Sequence, residues 1–95
     1  MTLGDAGLER EVLAMFLKQA DSVLAVLAGL PPDATALAHT LKGSARAIGA
    51  FGVGDRASAL EGALRDGSDT AQAFVALDAA VDEARAAIAA ILDRA

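Results

Sequence analysis

Cysteine, tryptophan and tyrosine are all absent from this 95-residue chain, and three phenylalanines supply its whole aromatic content. Without cysteine there is no disulfide scaffold, no thiolate metal site and no cysteine nucleophile, the pattern of an ordinary reducing-compartment protein. Strand-forming aromatic and β-branched residues are scarce, whereas about a quarter of the chain is alanine. Alanine and leucine are the best helix formers, so a β-sandwich or barrel is excluded and an all-α fold is expected. Basic side chains are outnumbered, 8 against 13 acidic ones, for a formal net charge of -5. That balance repels phosphate backbones, so a protein partner is expected and a nucleic acid is not. No apolar run approaches the roughly 18 residues of a membrane span, and Asp5 and Glu9 stand where a signal peptide would be basic and then apolar. A cytoplasmic location with no membrane partner is the expectation. The length suits one core, so residues 1–95 are read as a single domain.

Helical periodicity runs through four segments. From Asp5 to Ala28, Leu8, Val12, Leu13, Phe16, Leu17, Ala20, Val23, Leu24 and Leu27 form one stripe. Gly29, Pro31 and Pro32 end it, the glycine as a left-handed cap and the prolines as breakers. A second helix, from Asp33 as cap to Ile48, has only Leu37, Leu41 and Ile48 as large apolar residues. Gly49 stops it. The third, from Gly52 to Arg65, carries Val53, Ala57, Leu60 and Leu64. Asp69 and Gln72 resemble a capping box opening the fourth, which runs to Asp93 with Phe74, Leu77, Val81, Ala84, Ile88, Ile91 and Leu92 on one face. Four amphipathic helices with short loops predict an antiparallel, up-down four-helix bundle.

The chemistry concentrates on the second helix. At 100° per residue, Thr35, Ala36, Lys42, Gly43 and Arg46 fall within about 60° of His39, opposite Leu37, Leu41 and Ile48. The only histidine therefore faces solvent. No acidic residue occurs from Ala34 to Gly54, so Lys42 and Arg46 predict a locally positive patch on an acidic protein. A neighbouring lysine disfavours the imidazolium and offsets charge on an incoming phosphoryl group, both of which favour attack of the ring on phosphorus. Gly43 inside a helix costs about 1 kcal/mol relative to alanine, which close approach of another surface would justify. Arg65 follows Glu61 by four residues, the favourable order for a helical ion pair. The carboxylates Asp78, Asp82 and Glu83 lie along a solvated face and do not read as a metal site.

His39-Thr40-Leu41-Lys42-Gly43-Ser44, followed by Ile48-Gly49-Ala50, resembles the signature of histidine-containing phosphotransfer (HPt) domains. The likeness extends to Phe16-Leu17, Leu60-Glu61 and Arg65 to Gly67, covering roughly Glu9 to Leu92. The chain departs from the family in its short connection at Pro31 and Pro32 and in the glycines at 52 and 54. The resemblance implies a four-helix bundle whose exposed His39 accepts a phosphoryl group from a receiver-domain phosphoaspartate and passes it to another receiver. It implies electrostatic assistance from Lys42, close approach over Gly43, and a supporting Ser44 on the bundle side. Thr35, Arg46 and Arg65 are candidate contacts for the partner.

The expected partners are receiver domains of a hybrid histidine kinase or a response regulator, with Mg²⁺ on the receiver and no cofactor on this chain, which is expected to be a monomer. No Gly-rich phosphate loop of the Walker type is present, so phosphorylation from ATP by this chain alone is not expected. Because Met1 opens the chain and nothing follows the last helix, it is read as a whole carrier. One alternative is the phosphoacceptor module of a larger histidine kinase of the chemotaxis type. In ordinary sensor kinases the residue after the histidine is usually acidic, whereas here it is Thr40, which favours the HPt type. The other alternative is a helical adaptor that binds through an exposed apolar groove, with His39 incidental; replacing His39 separates it from the carrier.

Overall fold

The computed structural model describes residues 6–93; the expected helix start at Asp5 and the two ends of the 1–95 domain lie outside them. Four helices fill the described chain: α1 (Ala6–Leu27), α2 (Ala34–Ala47), α3 (Phe51–Asp66) and α4 (Thr70–Leu92). Each packs against its neighbours in sequence, α1 also meets α4, and the backbones of the diagonal pairs stay farther apart. The helices therefore stand in a ring around one core. That core takes Phe16, Ala20, Leu24 and Leu27 from α1, Ala34, Ala38, Leu41 and Ala45 from α2, Val53, Ala57 and Leu60 from α3, and Leu77, Val81 and Ile88 from α4. Burying each large side chain contributes about 1.5–3 kcal/mol before ordering costs. On α2 three of the four buried residues are alanines. Small side chains let helix backbones approach closely, and α2–α3 is the most extensive interface in the bundle.

Three members of the predicted stripes are not in the core. Leu8, Val12 and Ile91 are exposed, and they lie toward the ends of α1 and α4, which with 22 and 23 residues outrun α2 and α3, with 14 and 16. At 1.5 Å per residue the long pair overhangs the short pair by roughly 10 Å. Val12 and Ile91 keep the right period and edge open grooves beside the end of α2.

The helix ends carry further corrections. Asp33 occupies the N-cap position of α2, but its side chain makes no capping hydrogen bond. Asp69 does cap α4, its carboxylate accepting from the Gln72 N–H at 3.0 Å. After α1 the left-handed conformation falls on Leu30 (φ +48°) and not on Gly29; the Leu30 N–H closes the turn on the Leu27 carbonyl at 2.9 Å. After α2 it falls on Gly49 (φ +83°) as expected. There the Gly49 N–H donates to Arg46 O and the Ala50 N–H to Ala45 O, the paired bonds of a Schellman end. This tight reversal brings α3 back beside α2, starting at Phe51, one residue before the expected Gly52.

Candidate functional site

His39 lies in the first half of α2 on the face turned from the core, with its side chain 64% exposed. Thr35 is half-buried, Ala36, Thr40, Gly43 and Arg46 are exposed, and Leu41 is buried, as the helical wheel requires. A β-carbon added to Gly43 would meet no atom within 4 Å, so packing inside the domain does not demand glycine there.

Across the α2–α3 interface stands Glu61, the only buried charged residue among those described. Its Oε2 lies 3.1 Å from His39 Nδ1 and accepts from Arg65 Nη2 at 2.8 Å, while Oε1 accepts from Lys42 Nζ at 2.7 Å. A buried carboxylate is tolerated when donors surround it, and this one has three. The Lys42 hydrogen bond, working against burial and helped by His39 and by the Lys42 and Arg65 charges, holds the Glu61 carboxyl below its ordinary pKa. Glu61 is thus ionised at neutral pH and can only accept hydrogen bonds. The proton between the two side chains accordingly belongs to His39 Nδ1, and in the neutral ring Nε2 carries the free lone pair.

These contacts correct the sequence reading of the charge around His39. The acid-free stretch in sequence is not acid-free in space, because α3 inserts Glu61 between His39 and Lys42. Lys42, only 18% exposed, is ion-paired and not a free cation beside the ring. The sequence did carry a signal for Glu61: it follows Ala57 by four residues and Leu60 by one, so a carboxylate lies at the edge of the buried stripe of α3. Read only as the partner of Arg65, it was missed as the partner of His39.

The other candidates divide between two places. Thr35 and Arg65 line an open depression with His39, Asp33 and Glu61. Arg46 points across α3 toward Asp55, at 3.9 Å, with its side chain about half exposed. Its path explains the glycine at 54, since a β-carbon there would meet Arg46 Cγ at 2.9 Å. Ser44 is half-buried and lines an apolar groove with Val12, Met15 and Phe16 of α1. Among the described residues no cluster of three metal-ligating side chains occurs, and no helix is long and apolar enough to cross a membrane.

The described residues thus form an all-helical module that presents one histidine, held by a buried carboxylate. The chain belongs to the Hpt domain family, whose model matches residues 11–87. It is therefore a histidine phosphotransfer module of two-component signalling, a class that works with receiver domains. No curated protein and no solved structure matches the chain.

Proposed function

We propose that this chain is an intermediate phosphoryl carrier in a multistep relay, accepting on His39 from the phosphoaspartate of one receiver domain and donating to another. The observation that carries this reading is the His39 Nδ1 to Glu61 hydrogen bond, which leaves Nε2 as the nucleophilic nitrogen of an exposed ring. In the forward step the Nε2 lone pair forms the N–P bond while the P–O bond to the aspartate breaks, its electron pair leaving on the carboxylate. The Nδ1 proton stays in place throughout. The ring becomes cationic as the bond forms, and the Glu61 carboxylate against Nδ1 stabilises that charge. Reversal needs the same groups in the opposite order, which suits a carrier.

Lys42 holds Oε1 and so fixes the carboxylate that fixes the ring. Gly43, with open space around it, lets a receiver approach the imidazole without a side chain in the way. The receiver is the partner that brings Mg²⁺. The short connections and the ring of neighbouring helices support an up-down antiparallel course for the bundle, and the reading extends to a cytoplasmic monomer and to a single domain over the whole chain.

The test is to mix the purified chain with phosphorylated receiver domains and Mg²⁺ and to look for phosphate on this protein that is labile in acid and stable in base. Labelling of the parent and none of His39→Gln is expected. Equal labelling of both would overturn the assignment, and an adaptor would keep its binding activity without His39.

A further inference from the structure

Two cations reach Glu61, and their surroundings differ. Lys42 is largely covered, Glu61 is its hydrogen-bond partner, and the 2.7 Å contact commits its ammonium to Oε1. Arg65 has a side chain 64% exposed and spends one N–H on Oε2. A guanidinium presents five N–H donors in a plane. Among the described residues Glu61 is its only hydrogen-bond partner. Because Oε2 is also the atom that binds His39 Nδ1, the guanidinium is tethered beside the imidazole, and both line the same open depression.

Resting on the carrier reading, we propose that Arg65, and not Lys42, is the cation that binds the phosphoryl oxygens while the group joins His39 Nε2. Lys42 acts at one remove, as a positioning residue that holds Glu61. During transfer the P–O bond to the donor aspartate breaks and the N–P bond forms. The ring's new positive charge then faces Glu61 and the phosphoryl's negative charge faces Arg65. The planar fork of arginine matches phosphoryl oxygens, whereas the lysine would have to leave a covered ion pair to reach them.

Phosphoramidate tests this division without a docked protein, since its own P–N bond breaks and ammonia leaves as His39 is phosphorylated. The rate of that reaction is measured for the parent, Arg65→Gln, Arg65→Lys and Lys42→Gln, together with the ¹⁵N NMR signals that report the His39 tautomer. Arg65→Gln is expected to react roughly tenfold or more slowly, with the Nδ1–H tautomer retained, and Arg65→Lys to recover part of the rate. Lys42→Gln is expected to lose both rate and tautomer preference. Arg65→Gln reacting at the parental rate, or losing tautomer and rate together as Lys42→Gln does, would overturn the proposal. A parent that takes phosphate neither from phosphoramidate nor from a phosphorylated receiver would overturn the carrier reading and this proposal with it. A parent labelled on His39 and indifferent to Arg65 would overturn this proposal alone.

Discussion

Two carboxylates in this bundle are held below their ordinary pKa by a cation from another helix, Glu61 across the α2–α3 seam and Asp21 across the α1–α4 seam. Asp21 accepts two hydrogen bonds from Arg85, at 2.5 and 3.1 Å, a forked pair, whereas each donor of Glu61 makes a single contact. Yet both partners stand in water, with side chains 53% and 41% exposed, where screening and side-chain entropy leave an ion pair little net worth. Glu61 is buried, shares its oxygens among three donors, and touches His39, the proposed phosphoacceptor. Burial and connection, not short distance, set the pair at the proposed site apart from the pair on the open surface.

The largest expected effect lies at the exposed end of the Glu61 network. His39→Gln should abolish phosphoryl acceptance while leaving helical content and melting temperature close to the parent, because the side chain is mostly exposed and lies on the face turned from the core. Labelling with phosphorylated receivers and a circular-dichroism melt measure the two quantities. A drop of many degrees would show that the ring supports the fold as Leu41 does.

Glu61→Gln and Glu61→Ala test the hub itself. Glutamine keeps the shape but presents an NH₂ where an oxygen stood; oriented to accept from Lys42, it donates toward His39 and favours the tautomer with the proton on Nε2. Transfer should fall by roughly tenfold or more, a factor of ten being about 1.4 kcal/mol of barrier, and imidazole ¹⁵N signals should report the switch. Glu61→Ala strands Lys42 half-buried and should melt roughly 10 °C lower. The folded-state pKa of Glu61 is depressed, so its contribution to stability is complete above the ordinary carboxylate range, about 4, and is lost as pH falls through the folded value. The melting curves of parent and Glu61→Gln should therefore converge in acid and separate toward neutrality. A gap that stays constant from pH 3 to pH 7 would show that the carboxylate's charge contributes nothing.

The frame around this contrast is legible in the sequence, while the contrast itself is not, and the missing part has a physical cause. Period and turn chemistry are local, so four helices, the Asp69 cap and the Gly49 stop could be read from the chain. The wheel placed His39, Gly43 and Arg46 on one exposed face for the same reason. The partner of His39 lies 22 residues away, and periodicity within one helix cannot say which residue of α3 meets which of α2. The exposure of Leu8, Val12 and Ile91 was hidden likewise, since they keep the helical period and only packing between helices decides which apolar positions are covered.

Gly43 offers a smaller effect with two opposing parts. Gly43→Ala should gain up to about 1 kcal/mol of helix propensity, since the added methyl meets nothing within 4 Å. Gly43→Gln should keep part of that gain and transfer more slowly, because its side chain stands in the approach to the imidazole. Chemical denaturation and transfer rates on both variants separate packing from docking. A Gly43→Gln protein that is more stable and transfers at the parental rate would remove the steric role.

The smallest expected effect belongs to the exposed seam. Arg85→Ala removes a forked ion pair that joins α1 to α4 and a weaker contact with Asp82 at 3.9 Å. If exposure decides worth, the melting temperature should fall by no more than about 4 °C, and added salt should shrink the difference, because surface charges are screened within roughly 10 Å at 0.1 M. Asp21 has a depressed folded pKa, so whatever the pair contributes is present at neutrality and disappears in acid. Phosphotransfer should be unchanged, as the pair touches neither Glu61 nor His39. The decisive comparison is Asp21→Asn against Glu61→Gln, which remove the same charge from two carboxylates that are both held below their ordinary pKa. The first should leave transfer at the parental rate and stability nearly so, whereas the second should lose both. Equal losses of stability from the two would mean that the forked geometry of Asp21 and Arg85 outweighs their exposure, and that burial of Glu61 serves the histidine without serving the fold.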